Sequence, residues 1–188
     1  MTERRDPLWL RVRFDELLAQ QLALRFAREA RAARSAPAFA PQAGADTWVA
    51  RLLAALPFVL TGAQRRVWDE IQADLARGEP MHRLVQGDVG SGKTVIAALA
   101  AARAIDAGFQ AALMAPTEIL AEQHWRRIAQ WLEPLGVRVV WLAGKLKASE
   151  KRAAQAAMQE GSAQLVIGTH ALIQDSVSFA RHQTVRAV

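Results

Sequence analysis

The sequence predicts an α/β fold, a parallel sheet with helices on both faces, from three observations. Short apolar runs alternate with longer stretches of helical periodicity, the runs end in glycine, proline or threonine, and a glycine-rich turn at 87–94 (GDVGSGKT) joins one run to a helix-forming stretch. Alternating strands and helices place successive strands parallel, because each helical crossover returns the chain to the same edge of the sheet.

The elements follow in order. Residues 8–34 carry Leu10, Phe14, Leu17, Leu18, Leu22 and Phe26 at helical spacing, with Arg25, Arg28, Arg31 and Arg34 on another side. One apolar face results; the arginines read either as a solvated face or as a grip on phosphate. Residues 35–46 (SAPAFAPQAGAD) hold two prolines and a glycine and read as a linker. That divides the chain into a helical lead-in and linker, 1–46, and an α/β domain, 47–188. A short helix is expected over 47–56, ended by Pro57, and another through residue 76 with Val67, Trp68, Ile71 and Leu75 on its buried side. Thr61 and Gln64 have capping-box spacing, in which the threonine caps the helix and the glutamine reaches back. Gln64 could equally offer its amide to an adenine, whose edge takes one donor and one acceptor.

Strands are expected at 82–86 (HRLVQ), 110–115 (QAALMA), 137–142 (VRVVWL), 164–167 (QLVI) and 185–188 (VRAV), with helices at 94–107, from Thr117 to about residue 132, and at 149–159. The last strand is expected near the centre of the sheet, leaving apolar surface uncovered beside it and lowering solubility.

The turn at 87–94 fits G-x-x-x-x-G-K-[ST] through Gly87, Gly92, Lys93 and Thr94. Glycine removes side-chain bulk, so consecutive amides curl around an anion while the positive end of the following helix points at it. Lys93 would reach the terminal phosphates and the Thr94 hydroxyl would ligate magnesium. Open parallel sheets collect ligands at the carboxyl ends of their strands. There lie 87–94, Pro116-Thr117, Gly144-Lys145 and Gly168-Thr169-His170, although each turn taken alone is also an ordinary one.

Composition sets further bounds. There is no cysteine, which excludes disulfides and cysteine metal sites and suits a reducing, cytoplasmic setting. Arg4, Arg5, Arg11 and Arg13 interrupt the early apolar residues, against a signal peptide. The apolar run 95–102 is too short to span a bilayer, so no membrane partner is expected. A formal net charge of +6 is compatible with a polyanion partner without establishing one. His82, His124, His170 and His182 show no metal-ligand spacing.

Five segments together, LLAALPFVLTGAQ (52–64), PMHRLVQGDVGSGKT (80–94), MAPTEILAEQH (114–124), WLAGK (141–145) and VIGTHALIQ (166–174), resemble the first motor domain of RecG-type DNA helicases of superfamily 2. The resemblance covers roughly residues 47–188. It implies a RecA-like, P-loop NTPase fold using ATP and Mg2+, with Lys93 and Thr94 in the chemistry. Phe58 and Gln64 would read adenine, and Gly87, Asp88, Val89, Gly90, Ser91, Gly92, Lys93 and Thr94 would hold the phosphates. Pro116, Thr117 and Glu118 would follow a DNA strand, with Gly144, Lys145, Gly168, Thr169 and His170 further along it. Branched DNA, forks and Holliday junctions are the implied substrates, and the full-length protein would act as a monomer.

Family members also carry a fork-splitting wedge domain, an Asp-Glu-x-His motif after the strand that begins at Val185, and a second motor domain. None is present in these residues, so the chain is expected to be a fragment, binding ATP weakly and not unwinding DNA by itself. Other readings are a transcription-repair coupling factor-like translocase, a small-molecule kinase or non-helicase ATPase, and a nucleic-acid-binding module without catalysis.

Overall fold

A computed structural model describes residues 7–42, 44–173, 179–180 and 184–187. The elements are α1 (Pro7–Ala32), α2 (Trp48–Ala55), α3 (Gly62–Leu75), α4 (Lys93–Asp106), β1 (Gln110–Met114), α5 (Glu118–Leu132), β2 (Val139–Leu142), α6 (Ala148–Gln159), β3 (Leu165–Gly168) and β4 (Thr184–Ala187). The four strands are parallel and lie in the order β2-β3-β1-β4. Val139 and Ala111 both stand opposite Leu165, and Gln110 stands opposite Thr184.

Strand periodicity decides what each face buries. On β3, Leu165 and Ile167 enter a large cluster with α2, α3, α4 and α5, whereas Val166 enters a smaller one with Leu142, Ala154, Ala157 and Met158 under α6. Helices thus cover both faces, four on one side and α6 on the other. Each fully buried Leu, Ile or Val contributes about 1.5–3 kcal/mol. The central helix, α4, packs against β1 below and against α2 and α3 above, which is why it is apolar nearly all round.

Helix starts are secured locally. At α2 the Thr47 Oγ1 accepts the N–H of Ala50 (3.2 Å), while the Asp106 carboxylate, at the end of α4, accepts those of Trp48 (2.6 Å) and Val49 (3.3 Å). At α3 the capping box forms as its spacing predicts. Buried Gln110 ties β1 to the end of α6, its Nε2 donating to the carbonyls of Met158 (3.0 Å) and Ala163 (2.7 Å) and its Oε1 accepting the N–H of Ala180 (3.1 Å).

Three expectations need correction. Residues 82–86 form no strand: Leu84 is exposed, and Arg83 is bound instead to α3, its Nη2 to Asp74 (2.7 Å) and its Nη1 to Glu70. These ion pairs hold the segment beside a helix rather than along a sheet edge, and a strand exists only through its pairing. Consequently β4 lies at the edge of the described sheet rather than near its centre; Val188 lies outside the described residues. Finally, 36–42 is strapped to the domain rather than being a free linker. Ala36 N–H donates to Gly78 O (2.9 Å), Phe39 N–H to Leu75 O (2.7 Å) and Gln42 Nε2 to Asp106 O (3.0 Å), and Phe39 is buried against Phe109. Pro37 and Pro41 disfavour regular structure there, not contact.

The helix expected over 8–34 is present as α1, and its large apolar residues, Leu10, Phe14, Leu17, Leu18, Leu22 and Phe26 among them, are exposed. Among the described residues no helix is long and apolar enough to cross a membrane.

Candidate functional site

The glycine turn leads straight into α4. Gly90 and Gly92 take positive φ angles of 84° and 88°, which only glycine adopts without strain, and the Ser91 N–H donates to Asp88 O (3.1 Å) to close the turn. A Cβ at Gly87 would lie 2.6 Å from Ser91 Oγ, and one at Gly92 would overlap the Gln64 amide. Lys93 Nζ donates to the carbonyls of Gly87 (2.6 Å) and Asp88 (2.9 Å), so the loop is closed around its own ammonium. Val89 is fully exposed at the tip, and the half-buried Thr94 lies in the first turn of α4.

Gln64 forms the capping box and makes a further contact that its spacing does not announce. Its Oε1 accepts the Thr61 N–H (2.9 Å), its own N–H donates to Thr61 Oγ1 (3.2 Å), and its Nε2 donates to Ser91 O (2.8 Å). The capping box therefore does more than start a helix: it presses the start of α3 against the phosphate loop. Phe58 is partly exposed and meets Trp131 of α5 edge-on at 6.3 Å. Beside Phe58 opens a groove of about 790 Å³ whose far wall includes Gln72 and buried Arg103. A second hollow, of about 480 Å³, is lined by Thr94, Gln123, His124, Arg126, Arg127 and Gln130. Burial holds the His124 imidazole below the usual histidine range.

The other predicted turns do lie at the carboxyl ends of strands, after β1, β2 and β3. Pro116 and Thr117 are exposed, and Thr117 Oγ1 caps α5 by accepting the Leu120 N–H (3.3 Å). The Glu118 carboxylate accepts the Gly144 N–H (2.7 Å), which binds the turn after β1 to the turn after β2. Lys145 Nζ donates to Glu122 (2.6 Å) and lies 4.9 Å from the ring centroid of Trp141, which stacks on Trp125. Gly168 and Thr169 are buried, with Gly168 so close to β2 that a Cβ would lie 2.5 Å from Leu142 O; His170 is exposed. The surface of this edge is therefore made by Pro116, Thr117, Gly144, Lys145 and His170, with Gly168 and Thr169 shaping it from beneath.

Sequence reasoning missed Glu122, Trp125, Trp141 and Arg126 at this edge. The signal available was helical spacing, since Glu118, Glu122 and Arg126 recur every fourth residue along one side of α5. No cluster of three or more His, Cys, Asp or Glu able to hold a metal occurs among the described residues.

A glycine turn opening a helix beside a parallel sheet, with helices on both faces and polar turns at the strand ends, defines a P-loop domain of the RecA-like class. Residues 61–188 match the DEAD/DEAH box helicases, and the chain belongs to that family. It is 52% identical over 173 residues to the ATP-dependent DNA helicase RecG of Escherichia coli K12, covering 92% of this chain and 24% of that protein. The RecG of Haemophilus influenzae is 48% identical over 180 residues, covering 96% of this chain and 26% of the relative. A solved structure of RecG bound to a three-way DNA junction superposes with a TM-score of 0.79 at 40% identity, over 91% of this chain and 23% of that one. The chain thus spans about a quarter of the length of these relatives.

Proposed function

We propose that this chain is the nucleotide-binding motor domain, residues 47–188, of a RecG-type ATP-dependent DNA helicase that remodels branched DNA by fork reversal and Holliday junction migration. The observation that carries the reading is the bond from Gln64 Nε2 to Ser91 O, which couples the segment that would face adenine to the glycine loop. The cradle suits a polyphosphate, because Gly90 and Gly92 take the positive φ angles that let the loop's backbone amides curl toward an anion, and the space beside Gly90 is open. Gly87, Asp88, Val89, Gly90, Ser91 and Gly92 would surround the phosphates of ATP with backbone amides, and Lys93 would exchange its loop carbonyls for phosphate oxygens. Thr94 would ligate Mg2+, whose chemistry is to neutralise charge developing on the phosphates. Phe58 and Gln64 would bound the adenine.

DNA would run along the strand-end turns, touching Pro116, Thr117, Gly144, Lys145 and His170 and supported by Glu118, Gly168 and Thr169. The exposed Thr117 hydroxyl, the Lys145 ammonium and the His170 imidazole suit sugar–phosphate contacts that carry no base information. On this reading the protein works in the cytoplasm as a monomer. The test is equilibrium binding of a fluorescent ATP analogue, with and without forked DNA, to the chain and to Lys93→Ala. Loss of Lys93 is expected to weaken nucleotide binding at least about tenfold, the equivalent of one charge-assisted contact of about 1.4 kcal/mol or more. Equal affinity in the two proteins would refute the reading.

A further inference from the structure

Two carboxylates, one turn apart at the start of α5, hold the turn after β2 in different ways. Glu118 takes its backbone, through the Gly144 N–H at 2.7 Å. Glu122 takes its charge: Oε2 accepts from Lys145 Nζ at 2.6 Å, and Oε1 accepts from Arg126 Nη2 at 2.7 Å. The carboxylate is the more enclosed partner, with its side chain 22% exposed against 51% for Lys145 and 71% for Arg126. Lys145 is the lysine among the strand-end turns proposed to carry DNA, yet its ammonium is committed to an acid. Trp141, stacked on Trp125 at 5.6 Å, supports the lysine from below.

We propose that Glu122 masks Lys145 from the nucleic-acid backbone, so that this edge of the domain grips phosphate less tightly than its cations allow. The inference rests on the reading that DNA follows the strand-end turns. Lys145 and Arg126 share the Glu122 carboxylate, so a phosphate approaching Lys145 must compete with a carboxylate already in place. The Lys145 hydrogen bond, with Arg126 behind it, holds the Glu122 carboxyl below the usual carboxylate range, so the mask stays charged at neutral pH. Because Glu118 anchors Gly144 independently, neutralising Glu122 frees the ammonium without releasing the turn that carries it. A motor that must let go of its track in every cycle gains from a built-in competitor for one of its grips.

The experiment is fluorescence anisotropy of labelled duplex and forked DNA with the chain and with Glu122→Gln, Lys145→Ala, Lys145→Glu and the double variant Glu122→Gln/Lys145→Ala, over 50–200 mM salt. Circular dichroism melts establish that each variant is folded. Glu122→Gln is expected to tighten binding and to steepen the dependence on salt by about 0.9 in log–log slope, the signature of one added phosphate contact. The gain should then shrink roughly 3.5-fold between 50 and 200 mM salt. A merely structural role for Glu122 would not change that slope. Lys145→Ala is expected to abolish the gain in the double variant while altering the parent little.

Unchanged or weaker binding by Glu122→Gln, together with weaker binding by Lys145→Ala in the parent, overturns the mask and leaves the DNA path standing. A gain that survives in the double variant also overturns it, since net charge rather than Lys145 would then be responsible. If Glu122→Gln, Lys145→Ala and Lys145→Glu all bind as the parent does, the DNA path and the mask fall together.

Discussion

Replacing Asp106 by alanine tests how α2 and α4 are held together. The Asp106 carboxylate, at the end of α4, receives the first two N–H groups of α2, at 2.6 and 3.3 Å. With only eight residues, α2 is well below the roughly 12–15 at which isolated helices become marginal in water. Hydrogen bonds to charged groups contribute about 1.5–3 kcal/mol net, and a carboxylate at a helix N-terminus adds about 0.3–1 kcal/mol from the dipole. The longer second bond is weaker than the first, so the loss in Asp106→Ala is expected to be about 2–4 kcal/mol. In a chain of this size that lowers the melting temperature by about 5–15 °C. Asp106→Asn keeps one acceptor and should lose about half as much. Urea unfolding followed by circular dichroism measures both, with an unchanged m-value showing that the unfolded ensemble is the same. A loss under about 0.5 kcal/mol for the alanine variant would show that α2 is held by its apolar side alone, through Val49 and Leu52, and would refute the argument.

Gly168→Ala drives a methyl to 2.5 Å from the backbone oxygen of Leu142, which cannot swing aside, and should cost about 1–3 kcal/mol or more in chemical denaturation; a neutral result would mean that β2 and β3 part easily. Arg103 is buried with Nε and Nη1 unpartnered and only Nη2 bonded, to Gln72 Oε1 at 2.6 Å. Arg103→Met is therefore expected to melt at the same temperature or higher, while Gln72→Leu, which strips the last partner, loses about 2 kcal/mol or more; destabilisation by both would contradict this. For His124, burial lowers the folded-state pKa beneath the unfolded value of 6.5, so as pH falls through 6.5 the unfolded chain takes up the proton first and stability declines. Urea unfolding at pH 7.5 and 5.5 should show that His124→Gln loses less stability on acidification than the parent.

The phosphate loop, the cap at Thr61 and Gln64, and the strand-end turns were legible in the sequence because each depends on local chemistry: glycine at positive φ, a side chain reaching three residues, a helix starting after a strand. Pairing is not local. The segment 82–86 (HRLVQ) reads as a strand, but Arg83 finds Asp74 and Glu70 on α3, and no residue next to it in sequence announces that competition. Phe39 shows the same limit from the other side, since a segment interrupted by Pro37 and Pro41 gave no sign that one aromatic ring would seat against Phe109. At the candidate site, Gln64 could be placed at a helix start but its reach to Ser91 could not, because the two are brought together only by packing of α3 on α4. The ties from Glu118 to Gly144 and from Glu122 to Lys145 likewise required the pairing of β2 and of β1 with β3 between them.

The sheet is clad unevenly, and that asymmetry bears on motion. Four helices and one large cluster shield one face, whereas the other relies on α6 and a handful of side chains, fastened at its end by the Gln110 amide. Cooperative opening follows the amount of apolar area at stake, so amide protons of α6 should exchange with solvent sooner than those of α4. Loosening on the thin side leaves the loop around Lys93 undisturbed, because that loop belongs to the thick one. The domain can breathe at its back while the glycine turn keeps its shape.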